Sequence, residues 1–222
     1  MRLAAIDFQT GELKKLPNGR LIEADVEEEG VLLSRVDPAH RTGVFDGYDD
    51  VRDENNRVLK NVFEEGDTWF LTWDVLRKDE DGDYYFVDRH QRIIRTDEGA
   101  IASREVEDVL YRYSPIAYVA VYAGREGGFD VPIALVVTKN HAPLNADGLA
   151  DFVNAELALW ARPRVVRVQH EIPRTDGYRP DKNSEDLISG VHSSATWLYD
   201  TQTARYVATV DDDSQSMQES LS

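Results

Sequence analysis

Two strand-like segments separated by an acidic turn constrain the fold more than any other feature of this sequence. The segments read TWFLTWDVL and DYYFVDR, and apolar residues alternate with polar ones along both, as in strands that bury one face. Asp81-Gly82 lies between them, within KDEDGD, and this dipeptide is favoured in the tight turn of a hairpin. The sequence therefore predicts an antiparallel β-hairpin over residues 68–87.

The residues before this hairpin also predict strands joined by turns. Pro17-Asn18-Gly19 is a strong turn signal, and Gly30–Val36 is a short apolar run typical of a strand. The polar stretch from Asp49 to Asn61 fits either a helix or an irregular segment. We therefore expect residues 1–66 to be β-rich.

The hydrophobic period becomes helical after Arg89. Residues 103–113 place four apolar side chains on one helical face, with Ser103 as the expected N-cap: Val106, Val109, Leu110 and Tyr113. A second helix is expected over residues 144–160, with Asn145 as its cap.

Strands flank both predicted helices. They are expected in RIIRT, in Ile116–Gly124, in Val131–Lys139 and, as the final strand, in RPRVVRVQHEIP. The resulting order, β-α-β-β-α-β, is typical of a small α+β domain in which helices cover one face of a short sheet. The change of pattern puts the domain boundary near Asp88–Gln91.

Composition argues against several classes of protein. The 222 residues carry a formal net charge of -17, and only six of the 25 basic residues are lysines, so nucleic acids and anionic membrane surfaces are unfavourable partners. Cysteine is absent, and the five histidines form no zinc-binding pattern. No apolar run approaches the ~20 residues that span a bilayer, and the N-terminus lacks the pattern of a signal peptide. We therefore expect a soluble cytoplasmic protein.

Five blocks of sequence occur in the order seen in acyl-CoA synthetases: VFDGYDD, VFEEGDTWFLTWDVLRKDEDGDYYFVDRHQRIIR, REVEDVL, ARPRVVRVQHEIPRTDGYR and WLYDTQTARYV. Over roughly residues 5–207, the chain resembles the very-long-chain acyl-CoA synthetase and fatty acid transport protein branch of the AMP-forming, adenylate-forming ligases. Such enzymes activate a fatty acid with Mg-ATP to an acyl-adenylate and then exchange AMP for coenzyme A.

The resemblance implies a division of the chain. Residues 1–88 correspond to the β-rich C-terminal part of a large adenylation domain, and residues 89–91 correspond to a hinge with Gln91 or a neighbour as its pivot. Residues 92–190 correspond to a small mobile α+β domain. Residues 191–222 form an extension whose acidic tail is expected to be disordered.

The resemblance also assigns nucleotide contacts. Asp74 matches the Asp of a family Gly-Asp pair that accepts hydrogen bonds from both ribose hydroxyls, which suits the two oxygens of a carboxylate. Trp73 replaces the Gly of that pair. Arg89 matches an Arg that contacts the nucleotide near the hinge. Without the resemblance, Asp74 is a solvated strand acid, and Asp88 and Arg89 form a surface ion pair.

Two further positions depart from the family. Arg179 stands where the family has a Lys that stabilises charge during adenylation, and Lys182 lies three residues on. An Arg keeps the charge but not the compact geometry of an ammonium group. Asp97-Glu98-Gly99-Ala100 replaces a Lys-Gly-Glu-Asn loop that lines the thioester-forming site. The plain alternative is an acidic surface turn with Gly99 at positive φ.

The implied cofactors are ATP or AMP, coenzyme A and Mg²⁺. The sequence has neither the family's Ser/Thr/Gly-rich phosphate loop nor its Tyr-Gly-x-Thr-Glu-like block, so the Mg²⁺ ligands are expected in an absent N-terminal portion. We expect a partial fatty-acyl-CoA synthetase, incomplete or weakened alone, whose partners are a fatty acid and a separate N-terminal chain. Peripheral membrane contact, possible in the family, is not indicated. Two alternatives stay open: a non-catalytic binding or interaction domain derived from this fold, and an unrelated acidic α+β protein.

Overall fold

A computed structural model describes residues 1–36, 57–172 and 193–209 of the chain. The chain divides into two compact units, Met1–Gln91 and Arg92–Ser222. Each unit has its own sheet and its own hydrophobic core. Within the three described ranges, no helix is long and apolar enough to cross a lipid bilayer.

The N-terminal unit is built on a five-stranded antiparallel sheet. Its strands are β1 (Arg2–Ala5), β2 (Glu29–Arg35), β3 (Val58–Lys60), β4 (Thr68–Lys78) and β5 (Tyr84–Arg89). Strands β1, β2 and β4 are consecutive neighbours, and β3 and β5 both pair with β4. Because β2 occupies one edge of β4, the two short strands share the other edge. β3 pairs with residues 68–70, and β5 pairs with residues 74–78.

The structure confirms the predicted hairpin. β4 and β5 pair antiparallel, with Asp74 opposite Arg89 at the end away from the turn. Gly82 lies in the turn with a φ of 87°, a conformation that glycine adopts at low cost. The turn predicted at residues 17–19 is also present, with Gly19 at a φ of 84° and its N–H donating to the carbonyl of Leu16.

Alternate residues of the central strands form the core of this unit. Its buried members are Ala4, Ile6, Leu21, Val31, Leu33, Val62, Trp69, Leu71 and Val75. Asp67 fixes the loop before β4, because its carboxylate accepts hydrogen bonds from the indole N–H of Trp69 and from three backbone N–H groups, those of Val62, Phe63 and Glu64. The Asp67 carboxylate therefore orients the Trp69 ring that packs in the core.

The C-terminal unit combines strands with two helices. The strands are β6 (Ile93–Arg95), β7 (Ala100–Ala102), β8 (Ile116–Glu126), β9 (Phe129–Thr138), β10 (Val165–Gln169), β11 (Ser193–Asp200) and β12 (Arg205–Ala208), and the helices are α1 (Ser103–Tyr111) and α2 (Ala146–Glu156). β6 and β7 pair with each other, and the other five strands form a sheet in the order β12-β11-β10-β9-β8. Only β9 and β10 run parallel among the described pairs, and α2 lies in the connection between them.

The helices pack on one face of the five-stranded sheet. Side chains from α1 and α2 join those of the sheet in one core: Val106, Leu110, Leu149, Val153, Val119, Val121, Val136 and Val166 are among its members. The opposite face carries a smaller cluster of Ala120, Leu135, Val137 and Ile172. The predicted α+β class is thereby confirmed.

The predicted N-cap of α1 is wrong, and α2 is shorter than predicted. Ser103 is not an N-cap but the first residue of α1, and Ala102 at the end of β7 is the cap, with its N–H donating to the Glu105 carboxylate at 3.4 Å. An N-cap residue has an extended backbone. Because the chain passes directly from β7 into α1, Ala102 has that conformation and Ser103 is already helical. Asn145 caps α2 as predicted, accepting a hydrogen bond from the N–H of Gly148 at 3.0 Å. α2 ends at Glu156, short of the predicted residue 160.

The strand that was predicted to be the last is followed by two more. β11 and β12 come from the region that was expected to be an extension, and they pair antiparallel onto β10 and onto each other. Their register across the sheet, with Val166 opposite Trp197, is a long-range pairing that local patterns do not reveal. The acidic tail and the VFDGYDD block lie outside the described residues.

Candidate functional site

Asp74 and Arg89 face each other across the base of the hairpin. The Nε atom of Arg89 lies 3.7 Å from Oδ1 of Asp74, and their side chains are 54% and 35% exposed. An ion pair of this length and exposure is weak, so both groups are available to a polar ligand. The N–H of Asp74 donates to the Thr72 hydroxyl at 3.1 Å, and that hydroxyl donates to the carbonyl of Leu32, so the backbone that carries the carboxylate is fixed.

Asp88 has a different role from its neighbour. It is buried, at 2% exposure, and its carboxylate accepts the backbone N–H of Arg89 at 2.8 Å. The interpretation of Asp88 and Arg89 as a surface ion pair is therefore wrong. Asp88 holds the backbone at this point, and the Arg89 side chain turns to Asp74 instead.

Trp73 has an unusual backbone conformation beside Asp74. Its φ is 63°, in the left-handed region that bulky residues rarely enter, and the ladder between β4 and its neighbours is irregular here. The Trp73 ring stacks on His90 with centroids 4.7 Å apart, and Nε2 of His90 lies 2.7 Å from the carbonyl oxygen of Gly11. Since a carbonyl only accepts, Nε2 carries the proton. The position that the family resemblance assigns to Gly thus has a backbone that favours Gly.

The chain leaves the hairpin through a short turn. β5 ends at Arg89, a 3₁₀ turn covers His90–Arg92, and the boundary between the two compact units falls between Gln91 and Arg92. Arg89 is thus the first of residues 89–91, which the resemblance implies to be a hinge.

The acidic loop lies between β6 and β7, with Asp97, Glu98 and Gly99 leading into Ala100, the first residue of β7. Thr96 closes it, with its hydroxyl donating to the Gly99 carbonyl at 2.8 Å and accepting the Gly99 N–H at 3.1 Å. Gly99 is not among the residues with positive φ, so that expectation is wrong. Glycine is required for space instead, because an added Cβ would lie 2.8 Å from Cζ2 of Trp160.

A cavity of about 400 Å³ opens beside this loop. Asp97 and Glu98 line it together with Trp160 and with two exposed apolar side chains, Phe129 and Leu159. Two other acids in the wall are already paired, Glu126 with Arg164 at 3.0 Å and Asp130 with Arg125 at 2.8 Å. Four acids and one base, Arg164, line the cavity, so it is acidic overall and a poor match for the phosphate groups of coenzyme A.

The remaining predicted residues are not in the described part of the chain. Arg179 and Lys182 lie outside it. Within residues 1–36, 57–172 and 193–209, no cluster of three or more His, Asp or Glu side chains is placed to hold a metal ion. The sequence analysis did not identify His90 or Trp160. His90 stacks on Trp73 and Trp160 packs against Gly99, and no local sequence motif indicates either contact.

Comparisons with known proteins identify the family of this chain. A profile of the AMP-binding enzyme C-terminal domain matches residues 105–177. A very long-chain fatty acid transport protein of Cochliobolus heterostrophus is 34% identical over 120 residues, which cover 54% of this chain and 19% of that protein. A medium/long-chain-fatty-acid–CoA ligase of Mycobacterium tuberculosis is 31% identical over 179 residues, which cover 79% of this chain and 29% of that protein.

A solved structure shares the fold. ATP-bound MatB from Rhodopseudomonas palustris aligns with a TM-score of 0.65 at 18% identity, covering 82% of this chain and 32% of that one. The chain spans less than a third of the length of these two curated relatives. In sequence and fold it belongs to the AMP-binding, adenylate-forming ligases and corresponds to their C-terminal part.

Proposed function

We propose that this chain provides the nucleotide-contacting edge and the mobile C-terminal domain of a fatty-acyl-CoA synthetase. The observation that carries the proposal is the Asp74 and Arg89 pair, which is half exposed, weakly paired and set on a hairpin beside the boundary between the two units. The names of the relatives, a very long-chain fatty acid transport protein and a medium/long-chain-fatty-acid–CoA ligase, support a fatty acid as the substrate.

Asp74 is suited to bind a ribose. A carboxylate accepts two hydrogen bonds from vicinal hydroxyls, and the hydrogen bond from the Asp74 N–H to Thr72 fixes the backbone that carries this one. The Arg89 contact at 3.7 Å is long enough to be exchanged for a ligand at little cost. Arg89 would then be free to donate to a ribose or phosphate oxygen.

Residues 89–91 are proposed as the pivot of the C-terminal domain. The residues on either side belong to separate compact units, and a few backbone dihedrals in a short turn are sufficient to absorb a rotation. In this proposal Arg179 approaches the nucleotide with the C-terminal domain and takes the place of the family's Lys.

The described residues fit one of the implied cofactors and not the other two. Asp74 and Arg89 fit the ribose and phosphate of ATP or AMP, whereas the described residues hold no cluster suited to Mg²⁺. The acidic cavity beside Asp97 and Glu98 does not fit coenzyme A. We therefore propose that Mg²⁺ and coenzyme A contacts come from a preceding portion of the enzyme.

Binding of AMP to the 222-residue chain tests the nucleotide contact. Saturation-transfer NMR, which detects weak binding, is expected to show transfer to the ribose protons of AMP and less transfer to 2′,3′-dideoxy-AMP. Asp74→Asn should abolish this transfer, and Asp83→Asn, which changes an exposed acid in the hairpin turn, should leave it intact. Equal transfer in the two variants would rule out the role of Asp74.

A non-catalytic binding domain is the second candidate function. The strained Trp73 and the acidic loop at Asp97 favour it, because both depart from a working ligase. Addition of the large N-terminal portion of a related synthetase discriminates the two. Acyl-CoA formation with the Trp73→Gly, Arg179→Lys variant supports the enzyme, and no formation by that variant in a complex shown to assemble supports the binding domain.

A further inference from the structure

The proposed nucleotide contact lies at the open end of the hairpin formed by β4 and β5. Asp74 and Arg89 are the pair farthest from the Asp81-Gly82 turn, and the register of the two strands ends with them. The last pair of a ladder frays most readily, because it has a neighbouring pair on one side only. An additional contact beyond this pair would therefore help to keep the carboxylate and the guanidinium opposite each other.

The two residues just beyond this pair make such a contact. Trp73 precedes Asp74 and His90 follows Arg89, so the antiparallel register brings them together across the open end. Their rings stack with centroids 4.7 Å apart and with planes tilted by 45°. Aromatic pairs across neighbouring strands stabilise the pairing that brings them together. The stack therefore closes the hairpin at the end opposite its turn.

A hydrogen bond ties His90 to a separate loop of the same unit. Nε2 of His90 lies 2.7 Å from the carbonyl oxygen of Gly11 and donates to it. Gly11 is itself held in a turn, since its N–H donates to the carbonyl of Asp7 at 2.7 Å. The N–H of Asp7 in turn donates to the carbonyl of Glu12 at 2.9 Å. The imidazole is thus fixed both by a ring on β4 and by a backbone carbonyl.

The backbone of Arg89 is consequently held from both sides. The residue before it, Asp88, is buried and accepts the Arg89 N–H at 2.8 Å, and the residue after it is His90. The Arg89 side chain is 54% exposed, and its ion-pair contact in the described part of the chain is the 3.7 Å approach to Asp74. Because this side chain is weakly held, its average position depends on where the backbone places its Cα atom.

We infer that His90 is a positioning residue for the nucleotide contact. Its stack on Trp73 and its hydrogen bond to Gly11 keep the open end of the hairpin paired. The Asp74 carboxylate and the Arg89 guanidinium are thereby held ready for one ligand. His90 acts through these two residues and does not itself touch the nucleotide. The inference rests on the proposed nucleotide contact, and it names the side chain that preorganises that contact.

Substitutions of His90 separate its two interactions. His90→Phe keeps a ring for the stack on Trp73, His90→Gln keeps an N–H donor for Gly11, and His90→Ala keeps neither. The 222-residue chain is titrated with AMP and binding is followed by saturation-transfer NMR. We expect His90→Ala to raise the dissociation constant by about fivefold or more. The Phe and Gln variants should each recover part of this loss.

His141→Ala is the matched control, because His141 is also a stacked histidine. Its ring centroid lies 3.9 Å from that of His170, in the C-terminal unit, and its side chain is exposed. This variant should bind AMP as the wild type does. Circular dichroism and urea unfolding establish that each variant is folded under the conditions of the titration.

A second measurement shows whether the effect passes through the pair. Cross-strand nuclear Overhauser effects between Asp74 and Arg89 in the ligand-free chain should weaken in His90→Ala. Those between Lys78 and Tyr84, which are paired beside the turn, should be retained. Unchanged contacts between Asp74 and Arg89 would overturn the positioning role even if AMP binding fell.

The outcomes distinguish this inference from the proposed function. If Asp74→Asn abolishes AMP binding and His90→Ala leaves it unchanged, the proposed function stands and the positioning role is wrong. If Asp74→Asn binds AMP as the wild type does, the nucleotide contact itself is wrong, and the role of His90 fails with it. Weaker binding by His90→Ala, with partial recovery in the Phe and Gln variants and loss of the cross-strand contacts, supports the inference.

Discussion

The hydroxyl of Tyr199 accepts a hydrogen bond from Nη1 of Arg162 at 2.7 Å, and it lies 2.5 Å from Oδ1 of Asn154, to which it donates. Arg162 also donates to the carbonyls of Asn154 and Leu157, where α2 ends. Loss of the Tyr199 hydroxyl removes a hydrogen-bond partner from Nη1 of Arg162 and from Oδ1 of Asn154. We therefore expect Tyr199→Phe to lower the free energy of unfolding by about 1–3 kcal/mol.

Urea unfolding measures this change, and Tyr84→Phe is its control. Tyr84 is 39% exposed at the start of β5, so loss of its hydroxyl should change the free energy of unfolding by no more than about 0.5 kcal/mol. If the two variants are equally stable, the hydrogen bonds of Tyr199 contribute nothing beyond those to water.

Trp73 allows a direct test of backbone strain. At a φ of 63°, Ala is strained and Gly is not, so Trp73→Gly should be more stable than Trp73→Ala by about 1 kcal/mol. Both variants lose the stack on His90, which cancels in the comparison. At Arg77, a β4 position without positive φ, the order should reverse, with Arg77→Ala more stable than Arg77→Gly. Denaturant unfolding of the four variants checks this, and the same order at both positions would refute the strain.

Asp67 should make the stability of the chain depend on pH. Partial burial raises the pKa of its carboxyl, but the hydrogen bonds from the Trp69 indole and three backbone N–H groups outweigh burial and hold the pKa below its ordinary value of 3.8. A lowered pKa in the folded state stabilises the fold above pH ~4, and this contribution is lost as the pH falls through the folded pKa.

Asp67→Asn is therefore expected to lower the free energy of unfolding at pH 7 by about 1 kcal/mol, as for the loss of a capping carboxylate. The difference from the wild type should shrink as the pH falls below 4. Thermal unfolding between pH 3 and 7 measures it. A difference that stays constant over this range would show that the charge of Asp67 is not involved.

Gly99 is expected to tolerate no side chain. Gly99→Ala places a methyl group 2.8 Å from Cζ2 of Trp160, and overpacking of this kind costs about 1–3 kcal/mol. Trp160→Leu removes the ring, so the cost of Gly99→Ala should fall in that background. A double-mutant cycle by urea unfolding gives the coupling, and independent effects of the two changes would mean that the ring moves aside freely.

The sequence predicted correctly those structural elements that depend only on neighbouring residues. The Asp81-Gly82 turn, the hairpin and the Asn145 cap were predicted because each depends on a few adjacent residues. The end of α2 was not, because Arg162 reaches back to its last carbonyls from beyond the helix.

The candidate site was predictable only in part. Asp74 and Arg89 came from the resemblance, but their pairing depends on the register shift between Val75 and Leu76, which the local pattern does not indicate. The conformation of Trp73 was not predictable, since nothing in a Thr-Trp-Asp sequence calls for a positive φ.

The division of one edge of β4 between two short partners has a consequence for how this unit opens. β3 holds residues 68–70 and β5 holds residues 74–78, while the pairing with β2 is also irregular between them. β4 is continuous in the chain but interrupted in its hydrogen bonding. We therefore expect the amides of the two halves to be protected from hydrogen exchange to different degrees.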